Sequence, residues 1–332
     1  MADRKTVALI GAGRMGSVHA GNAARHPDID LAFVVDPRPD AAKALGDQWG
    51  ARPASLQDIL ADDAVEGVLV CSSTDQHLAH AQAALAAGKA VFCEKPIDLD
   101  LAKARAARED FCDARFVLAF NRRFDPNFVA LKDQVRAGRI GDIETLQIVN
   151  HDPALPPLAF IPTSGGLFRD FTIHDLDLAR WLLDEDPVEV FAMASCLVDP
   201  VIADLGDVDT ARTVLKTASG RLCLISNTRR SGYGYDQRIE AFGSCGMIAA
   251  DNQRGDSCVS LTARGTAAAP ILPDFPSRYA PAYAAEMAHF ADVLWGRDTP
   301  RATYDDGLKA LALADACARS AAEGRAIPVS FD

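Results

Sequence analysis

The chain has 332 residues, 49% of them hydrophobic, which is enough for a large core and predicts two domains. A formal net charge of −12 argues against nucleic-acid and anionic-membrane surfaces, both of which need clustered Lys and Arg. The first apolar run is too short for a signal-peptide core, no stretch reaches the roughly 20 apolar residues of a membrane span, and the eight cysteines lack metal-finger spacing, so we expect a cytoplasmic protein with reduced cysteines.

The first third of the chain alternates short apolar strands with Ala-rich helices. The pattern predicts strands over residues 5–10, 30–36, 66–72, 89–95 and 115–120, and helices over 16–26, 39–49, 58–62, 77–87 and 101–113. Near-continuous apolar strands separated by helices are typical of a parallel sheet covered on both faces. We therefore predict an α/β protein whose residues 1–121 form a Rossmann domain with a doubly wound parallel sheet.

The order of the predicted helices and strands changes after residue 121. Helices are predicted over 126–136 and 170–183, and then alternating strands over 144–150, 188–198, 210–217, 221–227, 237–243 and 247–251. Tight turns such as Ser219-Gly220 indicate an antiparallel sheet. Two closing helices are predicted over 283–295 and 305–323, the second begun by a Thr303–Asp306 capping box and ended at Gly324. Residues 122–332 are thus predicted to form an α+β domain whose large, open, mostly antiparallel sheet has one face available for a partner subunit.

A glycine motif follows the first strand. Gly11-x-Gly13-x-x-Gly16 lies between a strand and a helix, and an acid ends the second strand 20 residues later. This arrangement predicts a dinucleotide site, with the pyrophosphate at the helix N-terminus and the acid on the ribose. The acid favours NAD over NADP, although an arginine two residues on softens that preference. The alternative is a glycine turn that serves another ligand. The predicted contacts are Gly11, Gly13, Arg14, Met15, Gly16, Asp36 and Arg38.

The loop after the third long strand, CSSTDQH, is a second candidate for cofactor contact. It lies at the carboxyl end of a strand, where ligands bind in open α/β sheets. In the alternative interpretation Thr74 or Asp75 only caps a helix, and His77 simply lies in its first turn. The candidate cofactor residues here are Cys71, Ser72, Ser73, Thr74 and His77.

The next strand ends in Glu94-Lys95-Pro96. A lysine at the tip of a buried strand is unusual because desolvation disfavours its charge unless it finds a partner. One hypothesis is that Lys95 is a cation that binds a substrate hydroxyl and stabilises the alkoxide. Glu94 and Lys95 are also candidate cofactor contacts. The alternative is a surface Lys95 paired with Glu94.

The stretch RDFTIHDLD places Asp170 and His174 one helical turn apart. A histidine base has a pKa near the working pH, and the aspartate can orient it or hold a substrate hydroxyl. The alternative is an amphipathic helix with a solvated acidic face, which is how we interpret Asp175 and Asp177. A metal site is disfavoured because no clear third ligand accompanies the pair.

Several polar residues are candidates for further contacts. Asn150 and Asp152 have the period-two spacing of one strand face, although a plain polar strand end explains them equally well. Arg122 and Arg123 follow a strand, and Arg123 is our candidate for the cofactor; the alternative is a salt-bridged helix start. Tyr235 lies in a Gly-rich loop and either lines a substrate pocket or packs in an interface.

Three motifs resemble one oxidoreductase family. GAGRMG, AAGKAVFCEKP and GGLFRDFTIHDLDLARWL look like the family typified by glucose–fructose oxidoreductase and inositol dehydrogenase (Gfo/Idh/MocA). The resemblance implies that Lys95, Asp170 and His174 form the catalytic set and that the protein is a tetramer. Within the family the chain most resembles inositol 2-dehydrogenases, in the stretches FNRRFDPNF, GYGYDQRIEAFGS, YDDGLKALALADA and EGRAIPV.

The resemblance implies NAD-dependent oxidation of a secondary alcohol of a cyclic polyol. We expect myo-inositol to be converted to 2-keto-inositol (scyllo-inosose), with His174 as general base, Asp170 orienting and Lys95 stabilising the alkoxide. Substrate contacts are then expected from Lys95, Asp170 and His174 as well as from the polar candidates above. Two alternatives are a dehydrogenase of scyllo-inositol, glucose or another pyranose, and a dinucleotide-binding sensor without turnover.

Overall fold

A computed structural model describes residues 4–331 of the chain. The chain divides into two compact units. The first contains the residues up to Phe124 together with Pro281–Leu311, and the second contains Asp125–Ala280 together with the residues from Ala312 onward. The first segment of the first unit ends at Phe124, close to the predicted boundary at residue 121. The return of Pro281–Leu311 to the first unit was not anticipated.

The first unit is built on a parallel sheet, as predicted, but the sheet has six strands rather than the five predicted, because the two-residue strand Arg52–Pro53 was missed. Its sheet has the order β3-β2-β1-β4-β5-β6, with β1 (Lys5–Ile10), β2 (Ile29–Val35), β3 (Arg52–Pro53), β4 (Gly67–Val70), β5 (Ala90–Cys93) and β6 (Phe116–Leu118). Every residue of β4, β5 and β6 is buried, which explains their unbroken apolar sequences. The connecting helices are α1 (Arg14–Arg25), α2 (Pro39–Trp49), α3 (Leu56–Ala61), α4 (His77–Ala86) and α5 (Leu101–Ala106).

The second unit contains a seven-stranded mixed sheet of order β12-β11-β7-β10-β9-β8-β15. Only the β7–β10 pair is parallel among the paired strands of this sheet in the described residues, which confirms the prediction of a largely antiparallel sheet. The strands are β7 (Ile143–His151), β8 (Pro187–Ser195), β9 (Thr210–Thr217), β10 (Leu222–Thr228), β11 (Asp236–Gly243), β12 (Gly246–Ala250) and β15 (Ile327–Pro328), and a separate hairpin is formed by β13 (Val259–Thr262) and β14 (Gly265–Ala268).

The helices of the second unit leave one face of its sheet open. They are α6 (Pro126–Arg136), α7 (Ile161–Ser164), α8 (Ile173–Leu183), α9 (Val201–Asp204) and α10 (Phe275–Arg278). Helix α8 packs against β7. On the other face Phe191, Val214 and Leu224 are exposed and lie in register across β8, β9 and β10. The alternation of buried and exposed residues along β9 is the pattern of a sheet covered on one side.

Two long helices complete the chain. Helix α11 (Ala280–Leu294) begins three residues before its predicted start, and α12 (Tyr304–Glu323) begins at the predicted capping box. Thr303 N–H donates to Asp306 Oδ2 at 2.9 Å, and Asp306 N–H donates to Thr303 Oγ1 at 3.3 Å. Gly324 ends α12 with a φ of +65°. Among the described residues, no helix combines the length and apolar character that a membrane crossing requires.

Candidate active site

The glycine turn after β1 has no room for side chains at two positions. Gly11 has a φ of +100°, and a Cβ on it would lie 2.2 Å from the carbonyl oxygen of Cys71. A Cβ on Gly16 would lie 1.9 Å from the carbonyl oxygen of Gly11. The buried Cys71 therefore takes part in the turn through its backbone. These contacts hold the start of α1 tightly against β1 and β4.

The N-terminus of α1 offers the space that a diphosphate needs. Its N-cap residue, Gly13, makes no side-chain cap, and a Cβ on Gly13 would meet nothing within 4 Å. There is therefore open space beside the N-cap residue, at the end of the helix where the dipole is positive. Arg14 is exposed and Met15 is partly buried. These residues fit a dinucleotide phosphate group.

Asp36 is hydrogen-bonded to the glycine turn. Its Oδ2 accepts the Ala12 N–H at 2.7 Å, and its Oδ1 accepts the N–H of Arg38 at 2.9 Å and its Nε–H at 3.2 Å. Burial raises the pKa of Asp36, but these hydrogen bonds and the Arg38 charge outweigh it and leave the pKa below its usual value. Asp36 is thus held as a carboxylate at the end of β2, beside an Arg38 side chain that is 69% exposed.

The loop after β4 forms a short 3-10 turn at Thr74–Gln76. Ser73 is exposed, while Ser72 and Thr74 are partly exposed. His77 is buried, with Nδ1 2.7 Å from the Pro96 carbonyl oxygen and Nε2 3.1 Å from that of Ser72. Burial lowers the pKa of His77, which favours a neutral ring with a single N–H donor. A neutral ring donates to only one of these two carbonyls, and the contact of His77 with the cofactor stays a prediction.

Lys95 follows β5 and is half-buried. Its backbone N–H donates to Glu94 Oε2 at 3.2 Å, and Glu94 Oε1 lies 2.7 Å from His19 Nε2. Burial raises the pKa of Glu94, but the hydrogen bond and charge of His19, and the charge of Lys95, outweigh it and lower that pKa. Glu94 is consequently an interior carboxylate that supports the backbone of the lysine. Its side chain is buried, and its contact with the cofactor stays a prediction.

A second carboxyl group, Glu286 on α11, belongs to the same region. It is fully buried, and neither of its oxygens has a hydrogen-bond partner among the described residues. Burial and the negative charge of Glu94 raise the pKa of Glu286 well above its usual value. One turn earlier on α11, Tyr283 packs edge-on against His19 with ring centroids 5.7 Å apart. Sequence analysis missed His19 and Glu286. The available signal was a histidine one turn past Gly16, in the helix that follows the glycine motif.

Arg123, our candidate for the cofactor, forms a buried ion pair, and its contact with the cofactor stays a prediction. Its side chain is buried, and Nη2 lies 2.9 Å from Asp306 Oδ1. Its Nη1 donates to Asp306 Oδ2 at 3.1 Å and to the Arg301 carbonyl at 2.8 Å. The salt-bridged alternative therefore describes this residue, because the bidentate pair fixes it to the start of α12.

Asp170 lies in a π-helical turn, Phe168–Thr172, that runs directly into α8. Such turns are rare and occur frequently at functional sites. Asp170 Oδ2 accepts a hydrogen bond from Arg229 Nη2 at 3.3 Å. His174 is only partly buried, whereas every other residue from 171 to 180 is buried. The segment thus keeps the Asp170 and His174 side chains accessible while its other residues anchor it.

The polar residues around α8 form an internal network. Asp175 Oδ2 accepts from Asn150 Nδ2 at 2.9 Å and from Asn227 Nδ2 at 2.8 Å, and Tyr235 Oη donates to Asn150 Oδ1 at 3.3 Å. Asn150, Asp175 and Tyr235 are buried. Asn150 and Tyr235 thus belong to an interior network, and their substrate contacts stay a prediction. Asp152, just past the end of β7, stays partly exposed.

The prediction that Asp175 and Asp177 are solvated is wrong. Asp177 is also buried, and it forms an ion pair with Arg180 Nη1 at 3.8 Å. Among residues 4–331, no group of three or more His, Cys, Asp or Glu side chains is arranged to hold a metal ion.

Two family models match the chain. Residues 5–113 match the model described as an oxidoreductase family with an NAD-binding Rossmann fold. Residues 128–249 match the GFO/IDH/MocA C-terminal domain. Together the two models cover well over half of the chain.

Several proteins are similar over nearly the full length. An inositol 2-dehydrogenase of Rhizobium meliloti is 44% identical, with 97% of this chain and 98% of that protein covered. The crystal structure of a Corynebacterium glutamicum myo-inositol dehydrogenase has a TM-score of 0.94 at 41% identity, over 98% of this chain and 99% of that one. The structure of a Lactobacillus casei scyllo-inositol dehydrogenase with bound NAD(H) and scyllo-inositol has a TM-score of 0.91 at 26% identity, over 98% and 99%. The chain therefore belongs to the GFO/IDH/MocA oxidoreductase family and is a dehydrogenase with an NAD-binding Rossmann domain.

Proposed function

We propose that the protein oxidises a secondary hydroxyl of a cyclic polyol with NAD, and that it converts myo-inositol to 2-keto-inositol (scyllo-inosose). The observation that carries this proposal is the accessibility of Asp170 and His174 in a segment whose neighbouring residues are buried. The naming of the Rhizobium meliloti and Corynebacterium glutamicum relatives supports the choice of myo-inositol.

Each catalytic residue has a role that follows from its chemistry. Bound NAD supplies the acceptor for the hydride of the carbinol carbon. His174 takes the hydroxyl proton, since an imidazole is an effective base near neutral pH. Asp170 orients the hydroxyl or the imidazole. Lys95 donates to the substrate oxygen and stabilises its developing negative charge. That the three act on one hydroxyl is supported by the order and spacing of their motifs in the family.

Cofactor preference is part of the proposal. We assign the pyrophosphate to the glycine turn and the N-terminus of α1, with Ser72, Ser73 and Thr74 as further contacts. Asp36 accepts from the adenosine ribose and repels a 2′-phosphate, which favours NAD over NADP. Its support is the fixed position of the carboxylate beside Ala12. Lys95, Asp152, Asp170 and His174 are the proposed substrate contacts.

A homo-oligomer is proposed from the open face of the second unit's sheet, and a tetramer from the family resemblance. The exposed apolar residues on this face are distributed over five strands: Phe191, Met193, Val214, Leu222, Leu224, Phe242 and Met247. An apolar surface of this extent is typical of a subunit interface, and a second copy of the chain offers a matching face.

The test of the function is a screen for NADH formation with myo-inositol, scyllo-inositol, glucose and xylose. The expected result is the highest kcat/KM with myo-inositol and NAD. Preference for scyllo-inositol would establish the second candidate, which the ligand of the Lactobacillus casei relative favours. Failure of every polyol to give NADH, with NAD still bound in a titration, would support the non-catalytic sensor instead.

A further inference from the structure

Arg229 is a buried cation beside the proposed catalytic aspartate. It follows β10, and its backbone N–H donates to the Asp209 carbonyl at 2.9 Å. Its side chain is only 2% exposed and donates from Nη2 to Asp170 Oδ2. The guanidinium carbon lies 5.6 Å from the centre of the Phe171 ring. Arg229 thus contacts the π-helical turn from the protein interior.

The end of β10 contacts this turn at two points. Asn227 Oδ1 accepts a hydrogen bond from Thr172 Oγ1 at 2.9 Å, and Arg229, two residues further on, contacts Asp170. Residues two apart along a strand project to the same side. The end of β10 therefore contacts both the buried Thr172 and the accessible Asp170 of the turn. Sequence analysis missed this pair, although two polar residues at period two after an apolar strand were a signal.

A buried guanidinium is costly to the fold unless it is paired. The nearby carboxylate of Asp209 is engaged by other groups: it accepts from the backbone N–H groups of Leu197, Val198 and Asp199. Arg229 Nε has no hydrogen-bond partner among the described residues. The Arg229 charge is therefore directed at Asp170, whose side chain is 19% exposed. One edge of that carboxylate faces a fixed interior cation while the group itself stays accessible.

We propose that Arg229 is a positioning residue for the reaction: it holds the Asp170 carboxylate in one orientation and acts on the substrate only through Asp170. The proposal rests on the proposed function, because it assigns Asp170 to the substrate. Loss of this contact allows the Asp170 carboxylate to leave that orientation, and misplacement of a catalytic group by about 1 Å costs on the order of 100-fold in rate.

The test is a double-mutant cycle on kcat/KM for polyol oxidation. Arg229→Met keeps the length of the side chain without its charge, and it should lower kcat/KM on the order of 10- to 100-fold. Arg229→Lys retains the charge and should lose less. In an Asp170→Ala background, Arg229→Met should cost less than about twofold further, because residues that act as a unit are not additive. NAD affinity should stay within about twofold in all variants, since Arg229 lies in the second unit.

Each outcome decides the matter. An equal loss from Arg229→Met in both backgrounds would show a general structural role and overturn the inference while leaving the proposed function intact. If Arg229→Met does not fold, the same cycle with Arg229→Lys applies the same criterion. Wild-type protein that forms no NADH with any polyol would overturn the proposed function, and this inference with it.

Discussion

The Asp175 carboxylate lies 2.9 Å from the side-chain amide of Asn150, and this buried contact joins α8 to β7. The same oxygen accepts from Asn227 on β10. A single carboxylate therefore satisfies two amides from two neighbouring, parallel strands. The contact matters for function because His174 is the residue immediately before Asp175.

Replacing Asp175 should destabilise the second unit. Asp175→Ala leaves two buried amides without their acceptor, and an unsatisfied buried group costs about 1–3 kcal/mol. We expect the free energy of unfolding to fall by roughly 3 kcal/mol, measured by urea denaturation. Asp204→Ala, at an exposed residue, is the matched control and should change the free energy of unfolding by less than about 0.5 kcal/mol. An Asp175→Ala effect as small as the control would mean that the network contributes little.

Replacing Glu286 should change how stability depends on pH. The folded-state pKa of Glu286 is raised, so its contribution to stability is complete below pH about 4.5 and is lost as pH rises through the folded-state pKa. Glu286→Gln removes this loss. As pH rises above about 4.5, the free energy of unfolding of the variant should therefore increase relative to that of wild type, by at most about 1.4 kcal/mol per pH unit. A difference that stays constant from pH 4 to pH 8 would contradict the assignment; the exposed Glu109→Gln serves as the control.

Replacing Lys95 should abolish turnover and spare cofactor binding. Lys95→Ala removes the donor to the substrate oxygen, and the loss of one such donor lowers kcat by on the order of 100- to 1,000-fold. NADH affinity, followed by fluorescence titration, should change little. Lys43→Ala, an exposed lysine on α2, should behave as wild type. Oxidation by Lys95→Ala at a near-normal rate would exclude the lysine from the catalytic set.

Replacing Asp36 should relax cofactor preference. Asp36→Ala removes the negative charge that repels a 2′-phosphate. We expect the ratio of kcat/KM with NADP to that with NAD to rise by about tenfold or more, the equivalent of about 1.4 kcal/mol. Asp40→Ala, an exposed acid on α2, should leave the ratio unchanged. Equal losses with both cofactors after Asp36→Ala would place the carboxylate away from the ribose.

Charges on the open sheet face should break the proposed oligomer. Val214 and Leu224 are paired across β9 and β10, and replacing both by Asp puts two charges into the proposed interface. Light scattering coupled to size exclusion should then report a smaller assembly than for wild type. Leu261→Asp, at a residue 78% exposed on the β13–β14 hairpin, is the control. An unchanged mass for the double variant would mean that this face is not an interface.

The features that depend on local pattern were predictable. The apolar strands β4 and β5, the glycine turn and the Thr303–Asp306 capping box each follow from residues close together in the sequence. Long-range polar pairs were not. Asp175 looked like a solvated acid because its partners, Asn150 and Asn227, lie 25 and 52 residues away. The Asp306 partner of Arg123 could not be predicted for the same reason, since it is 183 residues away. A carboxylate is stable in the interior only with such partners, and their identity depends on the tertiary fold.

The return of Pro281–Leu311 to the first unit affects how the protein can be made and divided. A fragment ending at Phe124 contains every strand of the parallel sheet, but it lacks Phe290 and Leu294 of α11, which belong to the same hydrophobic core as Phe92. The Phe290 ring lies 5.6 Å from that of Phe92. On the ribosome, the core of the nucleotide-binding unit can close only after Pro281–Leu311 has been synthesised. Autonomous folding of the amino-terminal fragment is therefore not expected, even though it carries the complete glycine motif.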